Sequence, residues 1–258
     1  MKETFEVLIS CMHQKDFELQ NLPGLQDVQV LLVNQCDVEK PELLCSGKAR
    51  MLNTPSRGLS NSRNLAIENA QADVCLFSDD DESFVENLEG KILEQYEKHP
   101  DADIIIFKMI DRPARLGLEE KTLKGLDYLK VGSWQISFRR KAVLEKGIRF
   151  DPKLGAGSGN GAGEENKFMK ECMAAGLKAV FVPVEIGSAV RKDSTWFKGF
   201  DQKYFYNRGR STRYLLGLPL ASLYALYFLY AKRHKYGKDI STGKAFIAIF
   251  KGLFAPKL

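Results

Sequence analysis

Residues 72–82 read ADVCLFSDDDE, and the change of character inside that stretch decides the fold. Val74, Cys75, Leu76 and Phe77 form a short unbroken apolar run, the pattern of a strand buried on both faces of a parallel sheet. Ser78, Asp79, Asp80, Asp81 and Glu82 end it abruptly. Consecutive carboxylates repel one another, and a hard divalent cation with oxygen ligands relieves that crowding. Helix capping is the competing explanation, because acids in a first helical turn favour the helix dipole.

The same alternation extends outward from this stretch. Residues 5–10, 28–33 and 50–53 read as strands, with a short helix over 16–22 that Pro23-Gly24 would break. Residues 60–70 predict a helix capped at Ser60 or Asn61, with Leu65, Ala66 and Ala70 at helical spacing. Downstream, 84–96 predicts an amphipathic helix, 103–109 and 133–138 strands, and 139–146 a short helix. A glycine-rich run over 155–163 leads into a helix over 164–175, and 179–182 supplies a last strand. This β-α order predicts an open, mostly parallel α/β sheet that binds ligands beyond the carboxyl ends of its strands. The acidic run lies at such an end.

Composition is that of a folded chain of 258 residues, 44% hydrophobic and 28% charged. The net charge of +5 is uneven. Residues 191–258 carry 14 Lys and Arg against three acids, a balance of +11 that leaves the first 190 residues at −6. Basic charge confined to one end argues against a nucleic-acid footprint. Five cysteines without CxxC spacing suggest buried free thiols in a reducing compartment rather than zinc or disulfides. The N-terminus has no basic stretch followed by an apolar run, so no secretory signal is expected.

Three blocks together resemble glycosyltransferase family 2: ADVCLFSDDDE, the upstream GLSNSRNLAIENA (58–70), and the downstream GIRFDPKLGAGSGNGAGEENKF (147–168). Their order and intervals match over about residues 5–200. The resemblance implies the GT-A fold, a Rossmann-like nucleotide-diphospho-sugar transferase architecture, as a catalytic domain over 1–200. It also implies an inverting transfer from a nucleotide-sugar, probed first as a UDP-sugar, to a saccharide or lipid-linked acceptor.

The resemblance also assigns roles to residues. Asp79 and Asp81 would be the metal residues, for Mn²⁺ or Mg²⁺, with Asp79 also at the donor and Asp80 in the variable middle position. Arg63 would hold the diphosphate side by a charge-assisted contact. Glu165 would be the general base with Glu164 beside it, where the family's pattern carries Glu-Asp. Ser10 would form part of the nucleotide wall. Asn34 stands where the family presents an acid to the donor base, and its amide would hydrogen-bond a uracil.

The basic end carries an uncharged run over 214–231, flanked by Arg208, Arg210 and Arg213 on one side and Lys232, Arg233 and Lys235 on the other. Gly217, Pro219 and four tyrosines disfavour a bilayer span. A basic helical extension over 201–258 is expected to lie on an anionic membrane surface, with 245–254 as a second amphipathic segment. Both helices packing on the catalytic domain is the alternative. Such an enzyme would be cytoplasmic, peripheral on the inner face of the membrane, and suited to bacterial surface-polysaccharide or glycolipid assembly.

Two other functions compete. A sugar-phosphate nucleotidyltransferase would need a Gly-rich, basic phosphate loop after the first strand, where this chain has SCMHQKD. A non-catalytic membrane-surface module of the same fold would have no use for Asp79, Asp81 and Glu165. The glycine-rich run lacks the Lys-Ser/Thr ending of a P-loop, so it reads either as a mobile loop over the ligands or as a plain connection.

Overall fold

The computed structural model describes residues 3–160, 163–189 and 199–256. Strands β1 (Phe5–Met12), β2 (Gln29–Gln35), β3 (Glu42–Ser46) and β4 (Ala49–Thr54) come first, followed by helix α1 (Leu59–Asn69) and strands β5 (Val74–Asp79) and β6 (Glu82–Phe84). Next come α2 (Leu88–Lys98), β7 (Ile104–Met109), β8 (Lys121–Thr122), β9 (Ile136–Arg139), α3 (Arg140–Glu145), α4 (Glu164–Ala174) and β10 (Ala179–Ala189). The chain closes with α5 (Gln202–Leu216), α6 (Leu218–Ala231), α7 (Arg233–Tyr236) and α8 (Thr242–Phe254).

One sheet runs in the order β3-β4-β2-β1-β5-β9-β7-β10-β6, with β8 on β10. Its centre, β4-β2-β1-β5, is parallel. Antiparallel β9 separates β5 from β7, and β3 and β6 are antiparallel additions at the two edges. This is the expected GT-A type of α/β fold. Each face of the sheet buries its own apolar cluster. Leu8, Phe77 and Ile106 point to one and Val7, Leu76 and Ile105 to the other, the period-two consequence of a strand covered on both sides.

The expected helix over 84–96 is corrected at its start. Residues 82–84 pair with β10, and the helix begins only at Leu88. The acids at 79–82 therefore lie in a strand-to-strand turn, too far from a helix N-terminus to cap it. Residues 16–22 contract to a 3-10 turn at Glu18–Asn21.

The uncharged run over 214–231 is two helices broken at Gly217, whose φ of 74° ends α5. Among the described residues no helix is long and apolar enough to cross a membrane. Helices α5 and α8 meet at Gly209 and Gly252. A Cβ on either would strike the facing backbone carbonyl, of Ile249 or Tyr206 respectively, so only glycine lets the backbones approach this closely. Phe205, Ala221, Ala225, Phe228, Tyr236 and Ile249 form a separate small core. The extension is also fastened to the sheet domain. Leu215 joins the main apolar cluster, Tyr214 Oη donates to Asp151 Oδ2 at 2.5 Å, and Lys170 Nζ donates to the Leu215 carbonyl at 2.6 Å.

Candidate active site

The parallel strands bring their carboxyl ends to one rim, and the register makes Ser10 of β1 the neighbour of Asp79, the last residue of β5. Ser62 Oγ donates to Ser10 Oγ at 2.9 Å, which ties the end of β1 to helix α1. The acidic run divides in two. Asp79, Asp80 and Asp81 face outward to different degrees, while Glu82 is buried. Glu82 Oε2 accepts from Ser78 Oγ at 2.8 Å and from the Asp79 N–H at 3.3 Å. Burial, and then the charge of Asp79, push its carboxyl well above the usual carboxylate range.

Arg63 is the centre of the site. Its side chain is 2% exposed, with Nη2 3.0 Å from Asp79 Oδ1 and Nη1 3.1 Å from Glu164 Oε1. The guanidinium rests over the Phe150 ring, 5.4 Å from its centroid, and Phe150 stacks on Phe168 at 4.4 Å. Phe77 and Phe138, 4.7 Å apart, complete this aromatic floor. Burial alone would lower the Arg63 pKa, but the Asp79, Glu164 and Glu165 carboxylates outweigh it and raise the pKa. Arg63 Nε, Glu164 Oε2 and Glu82 Oε1 are buried with no hydrogen-bond partner among the described residues. Unsatisfied buried polar atoms are scarce in folded proteins, and they concentrate at sites of strain or function.

Arg63, expected at the diphosphate side, is buried here. Its fork donates to two carboxylates, Nη2 to Asp79 and Nη1 to Glu164. Asn34 is the residue expected at the donor base. It is fully buried, its Oδ1 accepts from the Gln14 N–H at 2.9 Å, and its Nδ2 donates to the Gln14 carbonyl and to Asn53 Oδ1, both at 2.8 Å. The amide ties the turn after β1 to β4.

Glu164 and Glu165 occupy the first turn of α4. Glu164 lies beneath Gly155, whose φ is +95° and whose Cβ would come within 3.2 Å of Glu164 Cδ and Ser60 Oγ. The described part of the glycine-rich run is pinned. The Leu59 N–H donates to the Ala156 carbonyl at 3.0 Å, and Asn207 Nδ2 to the Gly159 carbonyl at 3.2 Å. Residues 161–162 of that run lie outside the described residues.

Glu165 lines a cavity of about 390 Å³ shared with Tyr204, Asn207 and Arg208 of α5 and Tyr224 of α6. Part of the residue faces that space, yet its carboxyl lies deep. Burial first, then the Glu164 charge, push it up to about 8, against a smaller lowering by Arg63. The cavity wall supplied by α5 and α6 had no signal in the sequence beyond its tyrosines and basic residues.

Trp134 is half-buried against the core, with the Arg112 guanidinium 5.7 Å from its ring, which favours packing over sugar stacking. Among the described residues no three His, Cys, Asp or Glu side chains gather to hold a metal ion by themselves. Mg²⁺ and its relatives need only one or two carboxylates when substrate phosphates and water complete the shell. Asp79 and Asp81, hard oxygen donors in an open turn, fit that kind of ion.

The sequence profile described as Glycosyl transferase family 2 matches residues 17–150. No curated protein matches the chain. Among solved structures, S. aureus TarS 1-349 in complex with UDP-GlcNAc aligns with a TM-score of 0.63 at 14% identity, over 95% of this chain and 79% of that one. The same fragment in complex with UDP aligns with a TM-score of 0.55 at 13% identity, over 97% and 81%. A longer S. aureus TarS structure aligns with a TM-score of 0.59 at 13% identity, over 92% of this chain and 46% of that one. At these identities the structural likeness shows the fold, whereas the profile covers more than half of the 258 residues and begins and ends within the α/β domain. The chain belongs to glycosyltransferase family 2.

Proposed function

We propose that this glycosyltransferase is a metal-dependent, inverting enzyme that moves a sugar from a UDP-sugar to a hydroxyl of a saccharide or lipid-linked acceptor. The observation that carries the proposal is the buried Arg63 fork joining Asp79 of the acidic turn to Glu164 beside Glu165. It fixes the donor side and the base side of the site relative to each other. Ser10 and Asp79 would face the nucleotide, with Asp80 outward in the turn. UDP-GlcNAc, present in the TarS complex, is the first donor to test.

Asp79 and Asp81 would hold Mn²⁺ or Mg²⁺, which when bound offsets charge on the departing diphosphate. The acceptor oxygen attacks the anomeric carbon as the bond from that carbon to the diphosphate breaks, with the electron pair leaving on the diphosphate. Glu165, in its ionised form, takes the acceptor proton. Attack opposite the leaving group inverts the anomeric centre. Arg63 keeps the Glu164 carboxylate in place next to Glu165.

A peripheral position on an anionic membrane surface is part of the same proposal, and with it assembly of a bacterial surface polysaccharide or glycolipid. Its support is the outer side of the extension. Leu220, Leu223, Leu226, Tyr227 and Tyr230 of α6 and Ile247 and Phe254 of α8 are exposed, with Lys232, Arg233 and Lys235 following α6. Apolar side chains bordered by basic ones suit the boundary between acyl chains and anionic headgroups.

A panel of nucleotide-sugars, assayed by calorimetry and by hydrolysis with and without Mn²⁺, tests the donor assignment. Metal-dependent binding of a UDP-sugar is expected. Binding of no nucleotide-sugar would refute it.

A further inference from the structure

The cavity beside Glu165 is walled by the C-terminal extension, so that extension does more than face outward. We propose that the space between α4 and the α5–α6 pair is the acceptor site, and that it takes a pyranose unit held against Tyr224 and Tyr204. The proposal rests on the glycosyltransferase reading given above and assigns its acceptor-binding residues.

The cavity holds about 390 Å³, within the range of small-ligand sites, and Glu165 is on its wall. A hydroxyl bound there lies next to the group assigned to take its proton. Across from α4, one arginine organises the aromatic wall. Arg208 Nη1 donates to Tyr204 Oη at 3.0 Å and Nη2 donates to Tyr224 Oη, while the guanidinium lies 4.0 Å from the Phe228 ring centroid. Both tyrosines are thereby locked before a ligand arrives, which lowers the ordering cost of binding.

The pattern of donors and acceptors points to a sugar. Arg208 donates to the Tyr224 oxygen, so that phenol keeps its own O–H as a donor at the cavity wall. Burial raises the Tyr204 pKa, which keeps that phenol neutral at ordinary pH. Leu215 and Leu216 add apolar surface, and Asn166 spends its Nδ2 on the Tyr128 and Val131 carbonyls, which leaves its Oδ1 as an acceptor. Aromatic faces with a few fixed hydrogen-bonding groups match a pyranose, which is apolar on its C–H face and polar at its rim.

Saturation-transfer NMR with methyl glucoside, methyl galactoside and methyl N-acetylglucosaminide tests the site. UDP binding is measured in parallel by calorimetry. At least one glycoside is expected to receive saturation and to keep it when UDP and Mn²⁺ are saturating. Tyr224→Phe should weaken its binding about threefold, as for one lost hydrogen bond, and Tyr224→Ala about tenfold or more. Displacement of the glycosides by UDP, equal binding to wild type and Tyr224→Ala, or no binding by any of them would each overturn the acceptor site. Failure of the wild type to bind UDP would strike the donor reading instead, so the two failures are distinguishable.

Discussion

Arg63 Nη1 and Glu164 Oε1 lie 3.1 Å apart although 101 positions separate them in the chain, and both side chains are nearly sealed from solvent. Removing one partner of a buried ion pair leaves the other charge without compensation. Arg63→Met should therefore cost about 3–5 kcal/mol of stability, measured by chemical denaturation. Arg63→Lys should be damaging too, since an ammonium cannot reproduce a fork that reaches Asp79 and Glu164 together. Adding Glu164→Gln to Arg63→Met should recover part of the lost stability, and no recovery would mean that the two residues are not coupled.

The pH profile follows from Glu165. Its carboxyl is raised from the ordinary 4.5 to about 8, so the ionised form that the proposed base role requires accumulates as pH rises through about 8. kcat/KM should climb with pH on that limb and level off above it, and Glu165→Gln should lower transfer by about 10²- to 10⁴-fold and abolish the limb. The stability consequence has the opposite sign. The folded state keeps a proton that the unfolded chain releases, so this group's contribution is lost as pH rises from about 4.5 to about 8. Denaturation of the Glu165→Gln variant across that window should show a shallower fall than wild type.

Metal and donor should be linked through the acidic turn. Asp81→Ala should lower Mn²⁺-dependent UDP affinity by about tenfold or more in calorimetry, and chelation should do the same to the wild type. Melting temperature should change little, because Asp81 lies in a partly exposed turn. Full affinity of Asp81→Ala at limiting Mn²⁺ would remove this residue from the metal site.

Much of this site was legible in the sequence, because β5 is an apolar run of fixed length and the acids follow it without a gap. The β-α rhythm likewise placed α1, β7, α4 and the start of β10 to within a few residues. The position of Asp79 at a strand end needed only local pattern. The partners of Asn34 and Arg63 were illegible, because each depends on a residue from a distant element. Asn34 meets Asn53 through sheet register, and Arg63 meets Glu164 through the packing of α1 against the start of α4. The strand at Glu82–Phe84 was hidden because its pairing with β10 is non-local, while its residues suit a helix start equally well.

The extension carries a prediction of its own. Gly209→Ala or Gly252→Ala should destabilise the α5–α8 contact by about 1–3 kcal/mol, as overpacking does elsewhere, and should do so without touching the acidic turn. Normal stability of both variants, measured by thermal melting, would show that the two helices can separate freely.

The outward face of α6 should bind vesicles. Sedimentation with phosphatidylglycerol vesicles is expected at low salt and should weaken at high salt, where charges are screened. Leu223→Glu combined with Tyr230→Glu should abolish it while the fold stands, since both side chains are well exposed. Unchanged sedimentation would move the membrane contact elsewhere.

Displacement by a nucleophile attacking opposite the diphosphate, deprotonated by Glu165, can be tested without knowledge of the acceptor. Water can replace the acceptor hydroxyl, so NMR of the anomeric proton during Mn²⁺-dependent hydrolysis of UDP-α-N-acetylglucosamine reports the stereochemistry directly. For inverting displacement, β-N-acetylglucosamine is expected to appear first, before mutarotation, and Glu165→Gln to suppress its formation. First release of the α anomer, or a Glu165→Gln rate equal to wild type, would contradict it.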